Sequence, residues 1–488
     1  MNDQRDVVIV GAGPVGLATA CALWQRGVRA RVLEAQALPQ SGSRAVQLHA
    51  PTLRVLRELG VLDEAHKLGL RIAANEYHLG TGRTLRITLG AHNEPLMLPQ
   101  QDTCTLLERR LAQLGGRVER GIEVTGIDPG PTGVTLAIRG AEAAEGGEGD
   151  EGSEGTGTLR AAWVIAADGV RSRVREHLGI AFEGAPVAVH FLLAEGKIAG
   201  RPADDAVHYF MGAAGSVVFA SMPGDRVRVS AAVAADHPLT EEGVQTLLDA
   251  RGPGGLRVTS LDMVNMFSSQ ERIAARLREG RVFLVGDAAH THSPLGGQGL
   301  NLGIQDAHNL AWKLAGVLAG RLSAEVLESY GSERRQAAEQ IVRNTHQFLR
   351  VFTLGPGAAH VRNSLWSGME SLGLLRRWFA PLLSGWRVRY ATGGPAGRGL
   401  PHPGTRSSHW FDSSPAEDVH RLVTLGTSEH RQRGRALAAK WPDVVAHTHV
   451  DRRGRGFVLL RPDGYVAASG ATSADWERLR HLLATYAA

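Results

Sequence analysis

Asp287 and the glycine-rich run behind it are the residues whose types and spacing point most directly to chemistry. Residues Arg281 to Leu314 read RVFLVGDAAHTHSPLGGQGLNLGIQDAHNLAWKL. Val282 to Val285 is a short apolar run of the kind buried on both faces of a parallel sheet, and it stops at Gly286-Asp287. Asp287 therefore stands at the carboxyl end of a strand, where open α/β sheets take their ligands. Pro294 to Asn301 spends three glycines, Gly296, Gly297 and Gly299, in eight residues, with Leu300 and Asn301 opening an apolar helix through Leu302, Ile304, Leu310, Trp312 and Leu314. Such a loop brings backbone N–H groups close to a planar or anionic ligand at a helix N-terminus.

A second ligand-binding pattern opens the chain. The apolar strand Asp6 to Val10 leads into Gly11-Ala12-Gly13-Pro14-Val15-Gly16, then a helix through Leu17, Ala20, Leu23 and Trp24, then a strand from Ala30 ending at Glu34. This is the dinucleotide fingerprint in the context it requires. Gly11 permits the tight turn, Gly13 the approach to a pyrophosphate, and Gly16 the packing of helix on strand. Glu34 can accept both hydroxyls of an adenosine ribose and would repel a 2′-phosphate, so the ligand is FAD or NAD rather than NADP. Arg44, just beyond, is a candidate for the pyrophosphate. Asp168 closes another short strand, Trp163 to Ala166, with Arg171 and Arg173 opening the next helix; an N-cap is its simplest role. His49, His208 and Tyr209 are candidate proton acceptors by location alone. His290/His292 and His447/His449 lack a third ligand, so no metal site is expected. The chain contains neither GxSxG nor HExxH, which leaves hydrolase readings without support.

The elements that must position these residues divide the chain. The predicted fold class is α/β, a Rossmann-type FAD-binding domain carrying an inserted antiparallel-sheet substrate domain and a C-terminal unit. Residues 1–75, 99–180 and 280–390 are assigned to the first, 76–98 and 181–279 to the second, and 395–488 to the third. Four candidate strands occupy 187–234, a helix 241–250 and a strand 258–264. Gly393 to Gly399 reads as a linker. The closing hairpin and helix of the third unit, Phe457 to Tyr486, suit a thioredoxin-like domain, which without a cysteine cannot do dithiol chemistry. Between Ala141 and Gly157 the chain has six acids and six glycines with no large apolar residue, so it reads as a disordered hairpin loop.

Composition narrows the classes. A chain of 488 residues, 43% hydrophobic, can bury a large core. Of 54 basic residues only four are lysines, and arginines are dispersed with 5% aromatics, which argues against a nucleic-acid surface. No apolar run is long enough to span a bilayer and no signal peptide precedes the first strand, so the cytoplasm is the expected location. Two cysteines, Cys21 and Cys104, exclude a disulfide framework. Trp366, Trp378 and Trp386 lie on apolar helices that leave a homodimer open.

In this order, GAGPVG with Glu34, AADG at 166–169, GDAAH at 286–290 and PLGGQGLN at 294–301 closely resemble the class A FAD-dependent aromatic hydroxylases, the para-hydroxybenzoate and phenol hydroxylase group. The third unit is similar to the redox-inactive thioredoxin-like domain of the phenol hydroxylase branch, which includes hydroxylases that tailor aromatic polyketides. The resemblance implies that Gly11, Gly13, Gly16 and Glu34 bind the ADP half of FAD. It further places Arg44 and Gln100 at the pyrophosphate and ribityl region, Asp287 on the ribityl chain, and Pro294 through Asn301 along the flavin ring. Asp168 would serve both FAD and NAD(P)H. With a single fingerprint, FAD is the resident cofactor, and NADPH or NADH binds transiently as reductant. Oxygen would then add to flavin C4a and give a hydroperoxide that attacks an electron-rich, phenolic ring. Baeyer–Villiger or epoxidising chemistry on the same fold, or a flavin-binding partner protein without turnover, are the alternatives.

Overall fold

Val7–Val10 is apolar throughout and buried, and it forms the centre of a six-stranded sheet. The computed structural model describes residues 7–39, 45–79, 83–140, 155–212, 214–293, 296–352, 354, 356–391, 396–406, 418–451 and 454–488. Across the sheet the order is Arg278–Glu279, Val282–Leu284, Trp163–Ala166, Val7–Val10, Ala30–Glu34 and Val118–Arg120. All pairings are parallel except that of Arg278–Glu279. Val10, Ala166 and Leu284 stand in register, so the Gly11 turn, the Asp168 turn and the Asp287 turn leave the same edge side by side. Helices Pro14–Gln25 and Gln298–Leu318 pack together there. Their approach needs glycine, since a Cβ at Gly303 would lie 2.5 Å from Val15 Cγ2; the first helix in turn sits close on its own strand turn, where a Cβ at Gly16 would lie 2.0 Å from the Gly11 carbonyl oxygen.

The second layer is an eight-stranded sheet whose long members, Phe182–Ala199 and Arg257–Ala274, each run 18 residues and pair antiparallel. Both extend past the strands read from the sequence. Pro186, which marks a break in the local pattern, sits at a register shift before His190, where a proline is tolerated without ending the strand. Arg226–Val233, Gly215–Met222 and Ala206–Gly212 follow across the sheet, and the hairpin Ala74–Leu79 and Arg83–Thr88 joins it through parallel pairing with Ala206–Gly212. One face is covered by helix Glu241–Arg251, whose Val244, Leu247 and Leu248 pack on Leu192, Phe210 and Phe219. The other packs Val207, Ala220 and Met222 against Val46, Ile72 and Met97.

The C-terminal unit orders its strands Val445–Val450, His420–Leu425, Gly456–Leu460 and Val466–Gly470, with helices Ser428–Lys440 and Ser473–Tyr486. The arrangement is thioredoxin-like. Both cysteines lie outside it, in the FAD-binding region, and burial pushes each thiol up to about 12. Residues 141–154 of the acidic segment lie outside the described residues. Its end is strand rather than loop, since Thr156 and Gly157 pair with Arg139 and Ile138. Of the three tryptophans, Trp366 packs on Tyr77 and Phe379, Trp386 donates to the His92 carbonyl at 3.0 Å, and Trp378 is 56% exposed. Among the described residues no helix is long and apolar enough to cross a membrane.

A buried charge network joins the C-terminal unit to the rest. Lys313 Nζ donates to Glu333 Oε2 at 2.8 Å, Asn309 Nδ2 to Asp463 Oδ2 at 2.8 Å, and Arg461 Nη2 to Glu333 Oε2 at 2.8 Å. Burial raises the Glu333 carboxyl, but Arg461 and Lys313 outweigh it and bring it to about 2. Glu333→Ala should lower stability by about 3–5 kcal/mol, because the buried Lys313 loses its carboxylate partner and Arg461 keeps only Asp463. The sign with pH follows from a folded value below the unfolded one. The Glu333 contribution is full above the unfolded carboxyl value of roughly 4.3 and is lost as pH falls toward about 2. Denaturant melts of both proteins should therefore converge as the solution is acidified through that window.

Candidate active site

The Asp287 turn is held from beneath. Gly286–Ala288 forms a single 3-10 turn after Val282–Leu284, and Gly286 adopts φ 60°. Its N–H donates to Asp306 Oδ2 at 2.9 Å; His290 Nε2 bonds the same oxygen at 2.8 Å, and Arg334 Nε donates to Asp306 Oδ1 at 2.6 Å. Asp306 and Arg334 are both fully buried. Burial pushes the Asp306 carboxyl up, but His290, Arg334 and the Gly286 N–H prevail and hold it below the usual carboxylate range. Asp287 itself is exposed between the buried Gly286 and Ala288.

The glycine-rich loop is tied down by Asn301. Its Oδ1 accepts the His49 N–H at 2.7 Å, and its Nδ2 donates to Gln47 O at 2.8 Å and Gly297 O at 2.7 Å. Gly296 and Gly297 have φ 78° and 61°, a left-handed pair that other residues adopt only with strain. Gly297 is the N-cap of helix Gln298–Leu318, and no side chain caps it. Leu300 is buried, and Gly299 lies against the His292 ring. Helix Pro14–Gln25 likewise starts at Gly13 with no side-chain cap and a proline in its first turn. Two uncapped helix N-termini thus converge on one sheet edge, which favours an anionic ligand.

At the fingerprint, Gly11 has φ 103° and a Cβ there would lie 2.4 Å from the Ala167 carbonyl oxygen, whereas a Cβ on Gly13 would meet nothing within 4 Å. Glu34 Oε2 accepts the Ala12 N–H at 2.8 Å and Oε1 the Gln36 N–H at 2.9 Å, which leaves each oxygen a further lone pair for a ribose hydroxyl. Gln100 opens helix Gln100–Gln113, its N–H donating to the Ala45 carbonyl at 2.9 Å. Ser172, not Asp168, caps helix Arg173–His177, while Asp168 Oδ2 accepts the Val174 N–H at 3.2 Å. Asp168 Oδ1, Thr291 Oγ1, His292 Nε2 and Ser293 Oγ are buried with no hydrogen-bond partner among the described residues. Such a cluster of orphaned polar atoms beside an open glycine cradle fits a bound dinucleotide. Arg44 and Pro294 lie outside the described residues.

The three candidate proton acceptors are not brought together. His49 Nε2 faces the Gly296 carbonyl oxygen at 2.7 Å, so it donates, and burial brings the ring down to about 4. It pins the loop as a neutral group. Tyr209 stacks on Tyr77 with ring centres 4.8 Å apart, and burial raises its phenol to about 12. His208, one residue away on the strand, points to the opposite face of the sheet and contacts His78 and Glu76.

A cavity of about 580 Å³ opens beside Asp287, Thr291 and His292, and Arg171, Arg175 and Arg272 with Phe182 and Phe267 line its other walls. Arg175 lies over the Phe182 ring at 3.9 Å and donates to the Ala288 carbonyl at 3.1 Å. Arg272 Nε is buried without a partner among the described residues. Sequence reasoning missed Asp306, Arg175 and Arg272. For Asp306 a signal was present, an acid in the middle of a largely apolar helix; the two arginines had none among 48 others.

Residues 4–345 match the family described as the FAD binding domain. A rifampicin monooxygenase of Streptomyces venezuelae is 34% identical over 476 residues, 95% of each chain. The 12-dehydrotetracycline 5-monooxygenase/anhydrotetracycline 6-monooxygenase of Streptomyces rimosus is 32% identical, with 99% of both chains aligned. The solved anhydrotetracycline hydroxylase OxyS from Streptomyces rimosus superposes with a TM-score of 0.76 at 30% identity, covering 99% of this chain and 98% of that one. With its fingerprint, its Asp287 turn and its thioredoxin-like unit, the chain belongs to the FAD-binding class A aromatic hydroxylases and is an FAD-dependent aromatic monooxygenase.

Proposed function

We propose that the enzyme uses NADPH or NADH and O2 to hydroxylate an electron-rich aromatic with several fused rings, of the polyketide type. The observation that carries this reading is the arginine-lined cavity next to the Asp287 turn. It lies within the size range of cofactor and substrate clefts, roughly 300–1,000 Å³. Its guanidinium groups suit the phosphates of a nicotinamide dinucleotide, and the unpartnered Arg272 Nε is a donor awaiting an anion. The multi-ring substrate class rests on relatives whose names specify rifampicin and anhydrotetracycline.

Bound flavin supplies hydride acceptance from the nicotinamide and activation of oxygen. The chain's own residues do the rest. Gly11 and Gly13 would give the ADP half its close approach, Gly16 lets the helix pack on the Gly11 turn, and Glu34 would accept the ribose hydroxyls. Arg44 and Gln100 would serve the pyrophosphate and ribityl region, Asp287 would hold the ribityl hydroxyls, and the segment Pro294 to Asn301 would line the ring, its non-proline residues offering backbone N–H groups. Asp168 would serve both the flavin and the reductant. The uncapped N-terminus of helix Gln298–Leu318 would favour negative charge on a flavin ring bound at the glycine-rich loop. His49 positions the loop, and Tyr209 remains a protonated phenol at neutral pH, able to donate a hydrogen bond but not to take a proton. His208 stands away from this pocket.

A second reading has one observation in its favour. A dialkyldecalin synthase of Streptomyces rugosporus is 29% identical over 94% of this chain, and its name specifies no oxygen insertion. Turnover under ¹⁸O2 with NADPH and a panel of phenols and polycyclic quinones separates the two. Hydroxylation predicts one labelled oxygen per product molecule; an unlabelled product formed without NADPH oxidation overturns it. Arg272→Ala should raise KM for the nicotinamide cofactor about tenfold, equivalent to roughly 1.4 kcal/mol, and leave FAD content unchanged. An unaltered KM would remove the cavity from the reductant's path.

A further inference from the structure

The sequence reading expected no metal, yet the outer face of the eight-stranded sheet gathers a ligand set that no local spacing announces. Glu76 and His78 alternate on strand Ala74–Leu79, so both side chains reach one face; parallel pairing sets His208 beside Glu76 and Phe210 beside His78. His78 Nε2 and His208 Nδ1 are 3.1 Å apart, Glu76 Oε2 is 3.2 Å from His208 Nδ1, and Glu76 Oε2 is 3.6 Å from His78 Nε2. The edges of a tetrahedral zinc site with bonds of about 2.1 Å measure roughly 3.4 Å. A cation at that bond length from all three atoms would sit just outside their plane, with a fourth position left for water.

Proton bookkeeping points the same way. His208 Nε2 faces the Ala203 carbonyl oxygen at 2.9 Å, an acceptor, so the ring's N–H is there and its Nδ1 carries a lone pair. That lone pair faces His78 Nε2 at 3.1 Å and a carboxylate oxygen at 3.2 Å, a convergence of electron-rich atoms that either a shared proton or a cation seated on all three would relieve. His78 Nδ1 bonds Thr84 Oγ1 at 3.1 Å, and the His78 ring stacks on Phe210 with centres 4.3 Å apart and planes at 14°. Both imidazoles are thus oriented by a partner on their outer nitrogen, as metal-bound histidines are. Arg86 takes the other oxygen, Glu76 Oε1, and Asp205 with it. His208 is 1% exposed, Glu76 15% and His78 26%, so the set is closed below and open to an entering ion.

We propose that Glu76, His78 and His208 form a structural binding site for a divalent cation of the zinc class. Two imidazoles and one carboxylate at this spacing suit zinc over calcium, which takes six or more oxygens at longer range. The cation fastens the Ala74–Leu79 hairpin to Ala206–Gly212, two segments 130 residues apart at the contact. That hairpin carries Tyr77, whose ring meets Tyr209 on the opposite face.

The test is zinc titration of the chelator-stripped, flavin-loaded enzyme. One equivalent should bind with micromolar or tighter affinity and raise the melting temperature, since a ligand that binds only the folded state stabilises it. His78→Gln and Glu76→Gln should each weaken binding at least tenfold, and Thr84→Val, which touches no ligand atom, by about tenfold through loss of orientation. Cobalt(II) added to the unmutated enzyme should give tetrahedral d–d bands to the red of the flavin, a readout that needs no variant. Zinc binding equal in wild type and His78→Gln, or no cobalt bands and no equivalent of zinc bound, overturns the proposal.

Discussion

Everything at the sheet edge depends on one buried carboxylate. Asp306 lies inside a helix that is buried around its circumference, and it is tolerated there because both oxygens are occupied by Gly286, His290 and Arg334. An ionised carboxylate without those partners would cost several kcal/mol to bury. The arrangement fastens three chain segments, the strand turn at 286, the helix at 306 and the helix at 334, to one group. It presents Asp287 outward while its neighbours stay buried, so the exposed acid is positioned by the hidden one.

The same logic recurs at larger scale. Asn301 links the glycine-rich loop to Gln47 and His49, and Glu333 links Lys313 to Arg461 of the C-terminal unit. Helix Gln298–Leu318 supplies Asn301, Asp306, Asn309 and Lys313, one polar group for each neighbour it must hold. Its apolar surface fills the core, and its polar residues choose the register. The thioredoxin-like unit is therefore bonded through Asp463 to Asn309, on the helix whose other end carries the glycine loop, and through Arg461 to Glu333, which in turn holds Lys313 of that helix.

How much of this was legible before the structure varies with the range of the interaction. GAGPVG, Glu34 and the GDAAH turn declare themselves because a backbone conformation and a strand end are local properties. The thioredoxin-like unit was readable from its closing hairpin and helix, and the inserted sheet from its alternating strands. The full length of Phe182–Ala199 was not, because Pro186 imitates a terminus and only the tertiary register shows it as an irregularity within a strand; Arg257–Ala274 owes its length to pairing with that strand. Placement of His208 and Tyr209 on a face was readable from alternation, but which face is inward depends on helix Glu241–Arg251 and on Val46 and Met97, distant in sequence. The Glu76, His78 and His208 cluster was invisible for the same reason: its members meet through a parallel pairing that joins chain segments 130 residues apart.

Asp306 sets the backbone of the turn proposed to receive FAD. The most direct measurement is the FAD dissociation constant of Asp306→Asn, read by flavin fluorescence on apoprotein whose circular dichroism matches wild type. Asparagine keeps the shape but turns an N–H₂ toward a donor, and loses the charge facing Arg334. The account predicts weakening by about a hundredfold, close to 2.7 kcal/mol. An affinity within twofold of wild type in a folded variant would contradict it, and would mean that the Asp287 turn keeps its conformation without the buried carboxylate.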